Sequence, residues 1–203
     1  NMYFPMLNED NGKLEKPVIE ARKTFYRDVA VLALPAKGTV AKERVLDLTA
    51  RTDADGKLTW NAPAGEWIVY RVGYTTMGSM TVPNQWQARG LECDKMSVEA
   101  NELHLKHLLD DMRRHLGDLV GTGLKHVLFD SYEAGIPSWT PKMPEEFERR
   151  RGYSLIPFLA TFFGRVVGSD EETRKFRADF DRTIWDLHRD VHFATVSRVL
   201  RAV

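Results

Sequence analysis

A single cysteine, Cys93, stands among 203 residues. That excludes an internal disulfide and a cysteine-rich zinc site, but it does not fix the compartment. Net charge is missing as well: 29 basic and 29 acidic residues give a formal charge of +0. A general nucleic-acid binder needs a basic field, so that class is set aside. No apolar run approaches the roughly 18 residues of a membrane span, so no membrane partner is expected. A signal peptide is not visible, and the first residue is Asn1 rather than Met. At the other end, Ser197-Arg-Val-Leu-Arg-Ala-Val203 is still inside a helical pattern. The chain therefore reads as a piece of a longer one, trimmed at its start and cut at its end. It also lacks a P-loop, a G-x-G-x-x-G fingerprint, a G-x-S-x-G elbow and an H-E-x-x-H pair.

What is present is a globular composition, 43% hydrophobic and 29% charged. Residues 1–24 mix Pro, Asn, Asp, Gly and Lys without a period and read as an extension or linker. From 25 onward the order is strand, hairpin, strand, helix, strand, helices. Val29–Leu34 is apolar on both faces, as in a strand covered on both sides. Residues 37–62 read as a small β-hairpin insertion around the turn signal Asp53-Ala-Asp-Gly56. Ile68–Tyr74 alternates, with Arg71 in mid-strand, where burial would demand an acidic partner. Ser97 is an N-cap for a helix with Leu105, Leu108, Leu109 and Met112 on one stripe. A charged helix ends at Gly152, and Ser169 with Asp170 starts a long one. Its apolar positions are Phe176, Phe180, Ile184, Leu187, Val191 and Ala194. These elements predict an α/β fold with residues 25–203 as a partial (β/α)₈ TIM-type barrel. Val29–Leu34, Ile68–Tyr74 and Lys125–Asp130 would be its parallel neighbours.

The chemistry concentrates where the apolar run Val127–Phe129 stops at Asp130 and opens into Ser-Tyr-Glu133-Ala-Gly-Ile-Pro-Ser-Trp139. Such a run reads as a buried strand delivering acids to a cleft. Burial and a nearby like charge both raise a carboxyl pKa, which suits Glu133 to general acid catalysis. The same spacing equally fits two acids that cap the next turn or bind an arginine. Arg89, Glu92 and Asp94 form a second polar cluster. Asp94 suits the helix dipole, whereas Arg89 and Glu92 fit either that or a substrate or metal contact. Trp86 and Trp139 lie in loops, where a flat ring can stack on a sugar or close a hydrophobic lid, and Tyr132 adds an apolar wall. The pairs His104/His107 and His188/His192 have metal-compatible spacing but no accompanying carboxylate motif, so surface or boundary positions are expected. His126 is the histidine within reach of the strand-end acids.

The series Phe25-Tyr-Arg-Asp-Val-Ala-Val-Leu-Ala, Asp53-Ala-Asp-Gly-Lys-Leu-Thr-Trp60 and Arg71-Val-Gly-Tyr-Thr-Thr resembles glycoside hydrolase family 106, the α-L-rhamnosidases. The resemblance continues through Arg89-Gly-Leu-Glu-Cys-Asp-Lys95, Phe129-Asp-Ser-Tyr-Glu133, Trp139-Thr-Pro and Arg150-Arg-Gly-Tyr153. It covers the chain from about Phe25 onward and implies a (β/α)₈ catalytic domain, an inverting reaction on a rhamnose-containing substrate, Ca²⁺, and a periplasmic or secreted location. By the same resemblance Glu133 matches the general acid and Asp130 its companion; Arg71, Arg89, Glu92, Trp86, Trp139 and Tyr132 are expected as substrate contacts from their own residue types and places in the chain. The family's catalytic base is a second Glu further along, with no secure counterpart among the residues present. A non-catalytic carbohydrate-binding or structural fragment is the rival reading, and another barrel glycosidase with a strand-end acid is a third. Open sheet edges and uncovered apolar helix faces also predict self-association of the isolated chain.

Overall fold

Five consecutive residues, Ala30-Val-Leu-Ala-Leu34, are each 3% exposed or less, which a strand achieves when both of its faces are covered. In the computed structural model, which describes residues 25–81, 90–129 and 135–203, this run is the middle of β1, Arg27–Pro35. Two strands flank it, β2 (Leu46–Asp47) and β3 (Trp67–Tyr74), in the order β2-β1-β3. Leu32 faces Asp47 on one side and Tyr70 on the other, and both pairings are antiparallel. The expected parallel pairing of Val29–Leu34 with Ile68–Tyr74 is thereby overturned. A continuous apolar run reports coverage of both faces, not the direction of its neighbours. Only two single-turn 3₁₀ helices and β2 separate β1 from β3, so the chain returns beside β1 without the α-helical crossover usual between parallel strands.

The described chain is thus a mixed helix-and-sheet protein that divides into two compact units, and each is taken separately. The first comprises Phe25–Thr75 and Pro141–Thr183. Between β2 and β3, Gly56 N–H donates to Asp53 O at 2.9 Å, and the Asp53 carboxylate accepts from the Asp55 and Lys57 amides. Gly56 has φ +81°, which a β-carbon would strain. Thr52 and Leu58 bridge antiparallel across this turn. The helical part holds α2 (Met143–Arg151), ended by Gly152 in the left-handed region, then a 3₁₀ helix over Ile156–Phe163. Next comes α3 (Asp170–Leu187), with Ser169 Oγ accepting from the Glu172 amide at its start. Their shared core is aromatic: fully buried Phe176 meets Phe147, Phe158, Phe162 and Phe180 at centroid distances of 5.6, 5.1, 5.7 and 6.0 Å. Arg165 donates to the carbonyls of Pro35, Ala36 and Gly38, satisfying acceptors that β1 leaves open at its end.

The second unit comprises Thr76–Thr140 and Ile184–Val203, described apart from 82–89 and 130–134. Its longest helix is α1, Val98–Leu116, capped by Ser97 Oγ accepting from the Ala100 amide and ended at Gly117. Residues 125–129 carry no strand pairing among the described residues; Leu128 is 86% exposed and Phe129 is exposed too. The expected buried strand Lys125–Asp130 is therefore corrected over its described part. A short apolar run becomes a strand only where partners hydrogen-bond its backbone.

After Leu187 the chain makes one π-helical turn, His188–Phe193, before α4, Ala194–Arg201. A π turn holds an extra residue, so the buried stripe slips. The expected stripe is Phe176, Phe180, Ile184, Leu187, Val191, Ala194. The buried residues are Phe176, Phe180, Thr183, Ile184 and Leu187, and then His188, His192, Thr195 and Val196.

The aromatic core yields a stability test. Phe176→Ala should lower the free energy of unfolding by about 3–5 kcal/mol, the usual range for removing a buried Phe. Phe163→Ala, at a half-exposed ring stacked on Tyr70, should cost far less. Urea denaturation of both variants checks the ranking, and equal losses would contradict Phe176 as the centre of that core.

Candidate functional site

The described part of the site begins at the start of α1. Here Asp94 does local work: its Oδ1 accepts from the Met96 amide at 2.9 Å, and its Oδ2 accepts from the Thr140 hydroxyl at 2.7 Å. That second bond spans 46 residues and joins the Glu-Cys-Asp-Lys segment to half-buried Trp139 and buried Thr140. Glu92 forms a largely buried ion pair with Lys95. Upstream, Met80 and Leu91 bridge antiparallel, with Thr81 N–H donating to Gly90 O and Glu92 N–H to Ser79 O. Glu92 is thus held by its backbone and its carboxylate together.

One turn into α1, Asn101 is 2% exposed. Its Nδ2 donates to Lys95 O at 2.9 Å and to Ser97 O at 2.6 Å. With the amide nitrogen committed to two carbonyls, Oδ1 is left as an acceptor, and His192 Nδ1 lies 2.6 Å from it. His192 must therefore carry its proton on Nδ1. The His192 ring is also met edge-on by Phe129 at 6.2 Å, and His188 lies 6.4 Å away. Burial pushes His188 down to about 4, helped by His192 and Lys95. Burial, then Lys95, also lowers His192. The expectation that the 188/192 pair occupies surface or boundary positions is corrected: His188 is 1% and His192 7% exposed.

The remaining sequence candidates divide cleanly. Arg71 lies in the other unit, where its guanidinium grips Asp28 in a two-pronged pair at 2.7 and 2.8 Å across β1 and β3. Arg71 and, secondarily, the Tyr26 hydroxyl hold the Asp28 carboxyl below its ordinary range against a smaller effect of burial. His126 is exposed and lines a cavity of about 630 Å³ with Leu109, Met112, Leu124 and Leu200. Trp86, Arg89, Asp130, Tyr132 and Glu133 lie outside the described residues. Asn101 and Lys95 were not singled out as site residues in the sequence, and His192 only as one half of a metal-spaced pair. The one available signal is that Asn101 shares the i, i+4 stripe of Leu105 and Leu109, which makes it a polar residue at a core position.

Calcium binding takes six to eight oxygen ligands. Among the described residues no group of three or more His, Cys, Asp or Glu converges. Glu92 is engaged by Lys95, and Asp94 by Met96 and Thr140. Asp130 and Glu133 lie outside the described residues, and no chemical step is routed through a metal.

The family model described as alpha-L-rhamnosidase, Glyco_hydro_106, matches residues 13–203. The chain belongs to glycoside hydrolase family 106. A Formosa agariphila protein that carries a β-glucuronidase name is 35% identical over 214 residues, covering 90% of this chain and 18% of that protein. A solved rhamnosidase from Novosphingobium sp. PP1Y superposes with a TM-score of 0.75 at 39% identity, over 80% of this chain and 16% of its own. The chain thus spans less than a fifth of the length of these family relatives.

The buried histidines predict a pH dependence. His188 is lowered from 6.5 to about 4 and His192 is lowered in the same direction, so between 6.5 and about 4 the unfolded chain binds a proton that folded His188 refuses, and His192 adds to the same trend. Their contribution to stability is therefore present above 6.5 and is lost as the pH falls through that window. Urea midpoints measured from pH 7 to pH 4 should decline, and His188→Leu should flatten the decline. An unchanged slope in that variant would mean that His188 titrates normally.

Proposed function

We propose that the protein containing this chain is an α-L-rhamnosidase-like glycoside hydrolase acting on rhamnose-containing glycans or glycosides. The observation that carries this reading is the family match across 13–203, within which the motif Phe129-Asp-Ser-Tyr-Glu133 supplies closely spaced acids. In this proposal Glu133 is the general acid. It protonates the glycosidic oxygen as the bond to the anomeric carbon breaks. A water activated by a second carboxylate, elsewhere in the longer protein, attacks from the opposite face and inverts the centre. Inverting pairs stand about 6.5–9.5 Å apart to admit that water. Asp130 orients Glu133 and keeps its proton on by like-charge repulsion. Arg89, Glu92, Trp86, Trp139 and Tyr132 contact the sugar. The catalytic domain of the longer protein is, on this proposal, a (β/α)₈ barrel whose parallel strands are not among β1, β2 and β3.

The β-glucuronidase name of the Formosa relative supports a second reading, a β-glucuronide substrate. The two sugars differ where recognition is strongest: glucuronic acid presents a carboxylate that calls for a cation, and rhamnose presents a methyl group that calls for an apolar wall.

Full-length protein assayed on aryl α-L-rhamnosides and aryl β-glucuronides should cleave the former. Glu133→Gln keeps the shape and removes the proton, so its rate on poor leaving groups should fall by about 10²–10⁴-fold, with a smaller loss for good ones. Equal losses on both kinds of leaving group would remove Glu133 from the acid role, and preference for the glucuronide would select the second reading.

A further inference from the structure

The most heavily constrained polar group of the second unit is Asn101. Its amide binds the backbone of the segment that carries Glu92 and Lys95, and on its other side it binds the ring of His192. That ring lies in the π turn and is faced by Phe129, the residue just before Asp130 in the chain. One imidazole thus fastens, by a hydrogen bond and a ring contact, two segments far apart in sequence. Both carry residues that the proposed glycosidase uses. The π turn creates this arrangement: with α-helical spacing continued, Val191 rather than His192 would occupy the inward position. Such turns recur at functional sites.

We infer that Asn101 and His192 form a positioning pair for the glycosidase site, the His192 Nδ1–H···Oδ1 Asn101 bond holding the Glu92–Ser97 segment and Phe129 in register. This inference rests on the function proposed above. The pair touches neither substrate nor the reacting atoms. It acts by fixing Glu92 and the chain entering Asp130, and a displacement of about 1 Å at a reacting centre costs on the order of 10²-fold in rate. The Nδ1–H form matters because Asn101 presents only an oxygen to the ring, so a His192 deprotonated at Nδ1 would set two acceptors against each other.

The test uses the full-length protein with His192→Phe, which keeps a ring against Phe129 and removes the donor, and His192→Asn, which restores an N–H close to the same place. On an aryl α-L-rhamnoside, His192→Phe should lower kcat by about 10²-fold with KM within about threefold, and His192→Asn should recover most of the loss. Amide hydrogen exchange should accelerate in 90–97 and 127–129 in His192→Phe and return towards wild type in His192→Asn, while exchange in β1 stays unchanged. Unaltered kcat and unaltered exchange in 90–97 would overturn the inference. So would faster exchange everywhere, or an Asn variant no better than Phe, since either marks a merely structural histidine. Should His192→Phe not fold, wild-type-like kcat and exchange in His192→Asn support the pair, and their loss refutes it. A wild-type protein inactive on every aryl glycoside would end the functional reading, and the exchange data would then decide the pair by themselves.

Discussion

A buried carboxamide has two donors and an acceptor to satisfy, and leaving one unmade costs about 1–3 kcal/mol. Asn101 meets this demand with two backbone carbonyls and one imidazole. The consequences spread outward. The loop before α1 must curl back over the first turn of the helix, His192 must face inward, and the helix carrying His192 must change its pitch to present it. The π turn at His188–Phe193 therefore does for the buried hydrogen bond what a regular α-helix could not.

The two polar pairs nearest Glu92 and β1 differ in consequence. Glu92 and Lys95 are largely withdrawn from water, so removing one partner would strand a charge. Asp28 and Arg71 are more exposed, and solvent screens their attraction. Their value lies in geometry: the forked guanidinium ties the start of β1 to β3, beside the register irregularity between Asp28 and Ala30, and lies over the Tyr26 ring at 5.5 Å. An arginine so engaged is a poor candidate for a sugar contact, whereas Glu92 and Trp139 sit on segments joined by the Asp94–Thr140 bond.

Local signals were legible wherever the responsible physics is local. Ser97 and Ser169 cap helices with their own hydroxyls, Gly152 ends a helix in the left-handed region, and Asp53 with Gly56 makes a turn. The apolar period of α3 was readable as far as Leu187, because a constant pitch maps spacing onto one face. Past that point the same rule named Val191 and Ala194, and the extra residue of the π turn made it fail. The candidate acid motif was legible only as a motif: Asp130 and Glu133 stand three residues apart, and both lie outside the described residues.

By itself the sequence determined the positions of β1, β3 and the helix caps, which residues bear charge, and to which family the chain belongs, since ordered motifs and caps are written along the chain. Only the tertiary structure decided that β1 has antiparallel neighbours on both sides, that residues 125–129 are unpaired among the described residues, and that His188 and His192 are buried. Strand direction and histidine burial depend on which distant segments come together. That choice rests on satisfying backbone and side-chain hydrogen bonds across long separations, such as Asp94 with Thr140 and Asn101 with His192, and no local period encodes it.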